Sequence, residues 1–154
     1  MNRIMMISML VIISLGGISY ASDTTPAAME SNEQPKNPAA VSLYDQGVQA
    51  SQHNDFQKAL PLFEQALQQD PNNPDILNML AHSQRKTGSI DEAIVNYQKA
   101  LALRPKFPEA REYLGEAYID AALKEAQTLK SYGSDGQEEL EDLTNDIKEA
   151  SEKL

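Results

Sequence analysis

Three carboxylates, Glu112, Glu116 and Asp120, stand four residues apart. On a helix that spacing sets them on one face. Such a row attracts the lysine and arginine side chains of a partner. It also draws divalent cations, but weakly, because carboxylates along a helix lack the loop cage that wraps an ion. Upstream, Asn78, His82 and Arg85 share a helical spacing, with Lys86 beside them, and Tyr44 and Val48 supply apolar groups nearer the N-terminus. A surface ordered from apolar through basic to acidic suits an extended peptide, or a helix, with the reverse order of charge. The same charges also read as ordinary solvated side chains, some pairing across neighbouring helices for about 0–1 kcal/mol each.

Covalent and metal chemistry find little material. The chain has no cysteine, no HExxH, no phosphate-cradling glycine loop and no GxSxG. His53 falls among turn formers and His82 on a helix, so the two do not make a metal pair, and both read as solvent-facing. The expectation is a non-enzyme with no catalytic residue, no metal site and no cofactor. A net charge of -10 argues against nucleic acid, where phosphates demand clustered lysine and arginine. It also disfavours an anionic membrane surface.

The elements that position these residues are set by a self-match at 34 residues. Residues 40–73 and 74–107 repeat each other, with Leu43 on Leu77, Gly47 on Ala81 and Ala59 on Ala93. Phe63 falls on Tyr97, Ala66 on Ala100, Leu67 on Leu101 and Pro71 on Pro105. A third copy opens at Pro108 with Leu114, Gly115 and Tyr118. Such a period means stacked supersecondary units. Each unit reads as two short helices. Apolar residues from Val41 to Ala50 form the first stripe, His53-Asn54-Asp55 breaks it, and Phe56 to Leu67 form the second. Asp70-Pro71-Asn72-Asn73-Pro74 ends the hairpin. The next unit predicts helices over 75–87 and 90–103 around a Gly88-Ser89 turn. Small residues at Gly47, Ala81 and Gly115, at Ala59 and Ala93, and at Ala66 and Ala100 let the helices of a hairpin approach. Phe63 and Tyr97 fill the space between hairpins.

This set of residues resembles the tetratricopeptide-repeat family, and Pro71-Asn72-Asn73-Pro74-Asp75 resembles its junction between repeats. The likeness covers residues 40 to about 118. It implies an all-α fold, a right-handed solenoid of stacked helical hairpins with two clear units, a divergent third and a C-terminal capping helix. It also implies a non-catalytic protein-interaction module. In the family the concave face, lined by each unit's first helix, binds partners. Here that face is Tyr44, Val48, Asn78, His82, Arg85, Glu112, Glu116 and Asp120. Some relatives clamp a partner's C-terminal carboxylate with lysine, asparagine and arginine. The matching places here hold Tyr44, Val48, Glu109 and Tyr113, so that clamp is absent.

The third unit abandons the pattern after one helix. Residues 119–126 (Ile-Asp-Ala-Ala-Leu-Lys-Glu-Ala) carry no turn former, and the apolar stripe passes through them. The spacing predicts one long helix from Glu109 to about Tyr132, against a degenerate hairpin breaking near 121–123. After Gly133, Ser134 or Asp135 can cap a last helix over 134–154. Leu140, Leu143, Ile147 and Leu154 give that helix one apolar face, suited to capping the array or, alternatively, to a coiled-coil arm.

The N-terminus reads as a leader. Arg3 precedes an apolar run from Ile4 to Ile18, and Ser19-Tyr20-Ala21 offers a cleavage point after Ala21. The alternative is an uncleaved anchor in the inner membrane facing the periplasm. Residues 22–39, with three prolines and no large aliphatic beyond Met29, read as a disordered linker. The chain then divides into 1–21, 22–39, an array over 40–133 (40–73, 74–107, 108–133) and the helix 134–154. These features describe an exported, periplasmic bacterial monomer that binds a protein or peptide. It would touch membrane only through an uncleaved N-terminal segment. The rival function is a membrane-tethered or self-associating assembly factor.

Overall fold

The computed structural model describes residues 35–152. The expected leader, 1–21, and the linker as far as residue 34 lie outside the described residues. Six helices follow in order: α1 (Pro38–Gln52), α2 (Phe56–Gln69), α3 (Pro74–Lys86), α4 (Ile90–Leu103), α5 (Pro108–Ser131) and, after a 3-10 turn (Gly133–Gly136), α6 (Gln137–Glu152). No strand occurs among the described residues. The chain forms two compact units, one ending at Ala121 and the other beginning at Ala122. The helix α5 passes through that point without a break, as its unbroken apolar stripe predicts.

Local chemistry sets the helix ends. At the first, Asn37 accepts a hydrogen bond from the Ala39 amide at 3.0 Å, and Pro38 opens α1 with its missing N–H where none is needed. Helix α1 therefore starts two residues before the predicted 40. Asn54, at φ 60°, turns the chain out of it, and Asp55 caps α2 through the Lys58 amide. At the repeat junction Asn73 accepts from both Asp75 and Ile76 amides, at 3.0 and 3.1 Å, with Pro74 at the first helical position. Gly88, at φ 92°, ends α3, a left-handed backbone that glycine adopts without a Cβ penalty.

In the first unit, α1 packs on α2 and α3 on α4, and α2 joins the two hairpins by packing on α3. Phe63 is fully buried among Ala50, Ala59 and Leu80, with Tyr44, Val48 and Leu60 around them. Gly47 makes this possible, since a Cβ there would stand 2.6–2.9 Å from the Phe63 ring. Tyr97 is the equivalent buried ring of the second hairpin, packed with Ala81, Ala93, Ala100, Phe107, Ala110 and Ala117. The start of α5 thus closes this core. A staple crosses the second repeat: Arg104 donates to both Asp75 carboxylate oxygens, at 2.9 and 2.6 Å, while its guanidinium lies 4.5 Å from the Phe107 ring centre.

Two expectations need correction. Gly115 occupies the place of Gly47, yet a Cβ built on it meets nothing within 4 Å. Its packing role depended on a second helix folding back, and α5 runs straight on instead. In the second compact unit, Ser134 and Asp135 do not cap the last helix. They lie in the 3-10 turn, where the Ser134 hydroxyl bonds the Asp135 carboxylate at 3.2 Å, and α6 begins at Gln137. The tightness of that turn falls on Gly136, where a Cβ would collide with the Leu129 carbonyl oxygen.

Candidate interaction face

The eight predicted residues separate into three groups. Tyr44 and Val48 join the first hairpin's core, where Tyr44 lies 5.8 Å from the Phe63 ring centre. Burial, reinforced by the charges of Asp75 and Glu109, raises the Tyr44 hydroxyl to about 12. Its ring therefore shapes the face while its hydroxyl stays protonated. Asn78, His82 and Arg85 form a stripe along α3. Glu112, Glu116 and Asp120 follow on α5, of which Glu112 is exposed and the other two are half-buried.

The stripe on α3 is far more engaged than its polarity suggests. Asn78 is only 3% exposed. His82 is not the solvent-facing residue the sequence implied. Its ring lies between Phe56, centre to centre 5.5 Å, and Tyr113, at 4.8 Å. Burial lowers the His82 pKa, the cations Lys86 and Arg85 lower it further, and Glu116 opposes them. The imidazole is thus held neutral. Sequence reasoning passed over Phe56 as part of this site, although an aromatic at the first position of a second helix, one turn from the groove, was a usable signal.

Arg85 gathers the acidic row. It donates to Asp120 at 2.9 Å and to Glu116, and its side chain is only 8% exposed. Burial alone would lower its pKa, but the Asp120 hydrogen bond and the Glu116 charge outweigh that and the net shift is upward. Burial likewise raises the nearby Tyr97 hydroxyl, against the lowering effect of Arg85. The expected basic middle of the groove is therefore cancelled by the expected acidic end. What remains is a half-apolar beginning, a neutral polar centre and one net negative charge at the Arg85 cluster, with Glu112 and Glu109 exposed earlier on α5 and Glu109 near enough to Tyr44 to act on its hydroxyl.

Several buried polar atoms here have no hydrogen-bond partner among the described residues: Ser51 Oγ, Asn78 Oδ1, His82 Nδ1, Arg85 Nε and Tyr97 Oη. Three of them, on Asn78, His82 and Arg85, follow the helical spacing of one α3 face. Among the described residues no group of three His, Asp or Glu is placed to hold a metal ion.

The comparisons with known proteins agree with the helical-hairpin fold. Family models match twice, a tetratricopeptide repeat over residues 50–95 and a TPR repeat over residues 81–120. The chain belongs to the tetratricopeptide-repeat family. A peroxisomal targeting signal receptor of Saccharomyces cerevisiae is 36% identical over 74 residues, which is 47% of this chain and 12% of the receptor. Among solved structures, the Sgt2 TPR domain from Aspergillus fumigatus superposes with a TM-score of 0.54 at 28% identity. That match covers 75% of this chain and 83% of the domain. The tetratricopeptide repeats make this chain a protein–protein interaction module.

Proposed function

We propose that the concave face of α1, α3 and α5 binds an extended peptide or a partner's helix, without catalysis. The carrying observation is the α3 stripe, where Asn78, His82 and Arg85 each keep a buried polar atom unsatisfied by protein. Such atoms cost about 1–3 kcal/mol apiece, and a bound chain supplying amides and carbonyls relieves that cost. The surface chemistry defines the ligand: apolar side chains toward Tyr44 and Val48, and a lysine or arginine toward Glu112 and Glu109, the second of which lies near Tyr44. The receptor among the relatives takes a targeting signal by its name, which supports a peptide as ligand.

The reading includes export. Arg3, the Ile4–Ile18 run and Ala21 support cleavage after Ala21 and residence in the periplasm, the alternative being an anchor facing the same side. Mass spectrometry of the mature N-terminus decides it. For the binding face, selection from a random peptide library should enrich sequences with a basic residue at one end. Glu109→Lys with Glu112→Lys should abolish that preference while leaving the Arg85 cluster intact. Unchanged enrichment in the variant would overturn this face as the site.

A further inference from the structure

Two contacts between α3 and α5 fall in register. His82 meets Tyr113 at 4.8 Å between ring centres, and three residues further along each helix Arg85 meets Glu116. Residues three apart share a helix face, so Tyr113 and Glu116 are presented to α3 together. The Glu116 charge accordingly acts on both His82 and Arg85. Arg85 is the fixed member of this group, its side chain 8% exposed, while Glu116 at 43% and Asp120 at 38% keep access to water.

A proton on His82 needs an acceptor. The Nδ1 atom is buried and bonded to nothing among the described residues. A neutral imidazole can leave a lone pair there, but in the imidazolium both ring nitrogens are donors, and a buried charged donor without a partner is costly. The surrounding helices supply different groups. From α2 comes Phe56, an uncharged ring, and from α5 come Tyr113 and Glu116. Its own helix brings Lys86 and Arg85, which repel a second cation, so that Glu116 is the attractive charge among those acting on it. We propose that His82 is a proton switch on the concave face: on mild acidification it draws Glu116 from Arg85, and the face releases a basic ligand. This rests on the peptide-binding reading above and adds its control.

The sign follows from the charges. Arg85 with Glu116 and Asp120 carries one net negative charge, and an imidazolium at His82 brings the group to zero. A lysine or arginine held at Glu112, beside Tyr113, then meets a cation in place of a neutral ring. Proton and ligand weaken each other by the same factor. The bound cation lowers the His82 pKa further, so affinity is full above 6.5 and falls as pH drops through the lower value of the free protein.

NMR titration of the full chain should give a His82 midpoint below 6.5, with His82→Phe assigning the signal between the two histidines. The Arg85 and Glu116 side-chain signals should move with that midpoint. Lys86→Ala, at an exposed site, should raise it by about 0.2–0.5 pH unit, and Glu116→Gln should lower it. For binding, the probe is a library-selected peptide with a blocked amino terminus and no histidine. Its dissociation constant should rise about two- to tenfold between about pH 7.5 and about pH 5.5, where the carboxylates stay ionised. His82→Phe should hold it constant, and circular dichroism should show the same helix content at both pH values. Arg85 and Glu116 signals indifferent to the His82 midpoint would overturn the transfer of Glu116. An affinity in the wild type that does not change, or that falls equally in His82→Phe, would overturn the switch alone. A probe that binds Glu109→Lys/Glu112→Lys as well as the wild type at the higher pH would overturn the reading of the face beneath it, and the release with it.

Discussion

Gly47 and Gly115 hold the same place in their repeats, and the structure treats them in opposite ways. In the first repeat the backbone of α1 approaches α2 so closely that the Phe63 ring lies where a Cβ of residue 47 would be. In the third, nothing comes within 4 Å of that position. The difference is the fate of one turn. His53, Asn54 and Asp55 reverse the chain so that a second helix returns with its aromatic. In the third repeat Ala121, Ala122 and Leu123 continue the helix, and no aromatic returns. A glycine without its partner ring is only a flexible point in a helix. One with its partner is a packing requirement.

Truncating the ring tests the first half of this comparison most severely. Phe63→Ala should lose about 3–5 kcal/mol, as for other buried aromatics, measured by urea unfolding. Gly47→Ala should cost about 1–3 kcal/mol, because the ring must leave its rotamer or the helices must part. A neutral Gly47→Ala would mean that the hairpin is looser than its geometry implies. Asn73→Ala should follow at about 1–2 kcal/mol, since it strips two amides of α3 of their cap. Ser89→Ala is its control: Ser89 precedes α4 but makes no side-chain capping bond, so it should change stability by only a few tenths of a kcal/mol.

Gly115→Ala should act in the other direction. With open space around it and helix on both sides, alanine should stabilise by about 0.5–1 kcal/mol by restricting the unfolded chain. If it destabilises as Gly47→Ala does, then some helix covers α5 in solution and the contrast between the repeats fails.

Much of this architecture was legible because it rests on local rules. Proline, asparagine and glycine mark the ends of α1 to α4 within two residues, and the uninterrupted run after Tyr118 announces α5. What failed to show were the relations across helices. The positions of Arg85, Glu116 and Asp120 were visible as separate basic and acidic groups. That they close into one cluster depends on the register of α3 against α5, which no single-helix pattern contains. His82 escapes for a similar reason. Its polarity predicts solvent, but the two rings that enclose it come from α2 and α5, on either side of its own helix. The 3-10 turn at 133–136 was hidden because Ser134 and Asp135 have good capping chemistry in a backbone that does not use it.

The His82 sandwich joins the two contrasted regions, with Phe56 from the first repeat and Tyr113 from the third, so its titration tests both at once. Its folded pKa lies below the ordinary 6.5, through burial first and then the cations Lys86 and Arg85 on α3, with Glu116 on α5 opposing. The unfolded chain therefore binds this proton at a higher pH than the folded one. The associated stability is complete above 6.5 and is lost as pH falls through the lower folded value. Unfolding measured from about pH 7.5 down to about pH 5 should fall more steeply for the wild type than for His82→Phe. Phenylalanine keeps an aromatic ring between Phe56 and Tyr113, and the carboxylates common to both proteins cancel in the difference. Parallel curves would mean that the imidazole is hydrated and the two rings do not enclose it. In that case the third repeat would stand apart from the first not only at Gly115 but also at Tyr113.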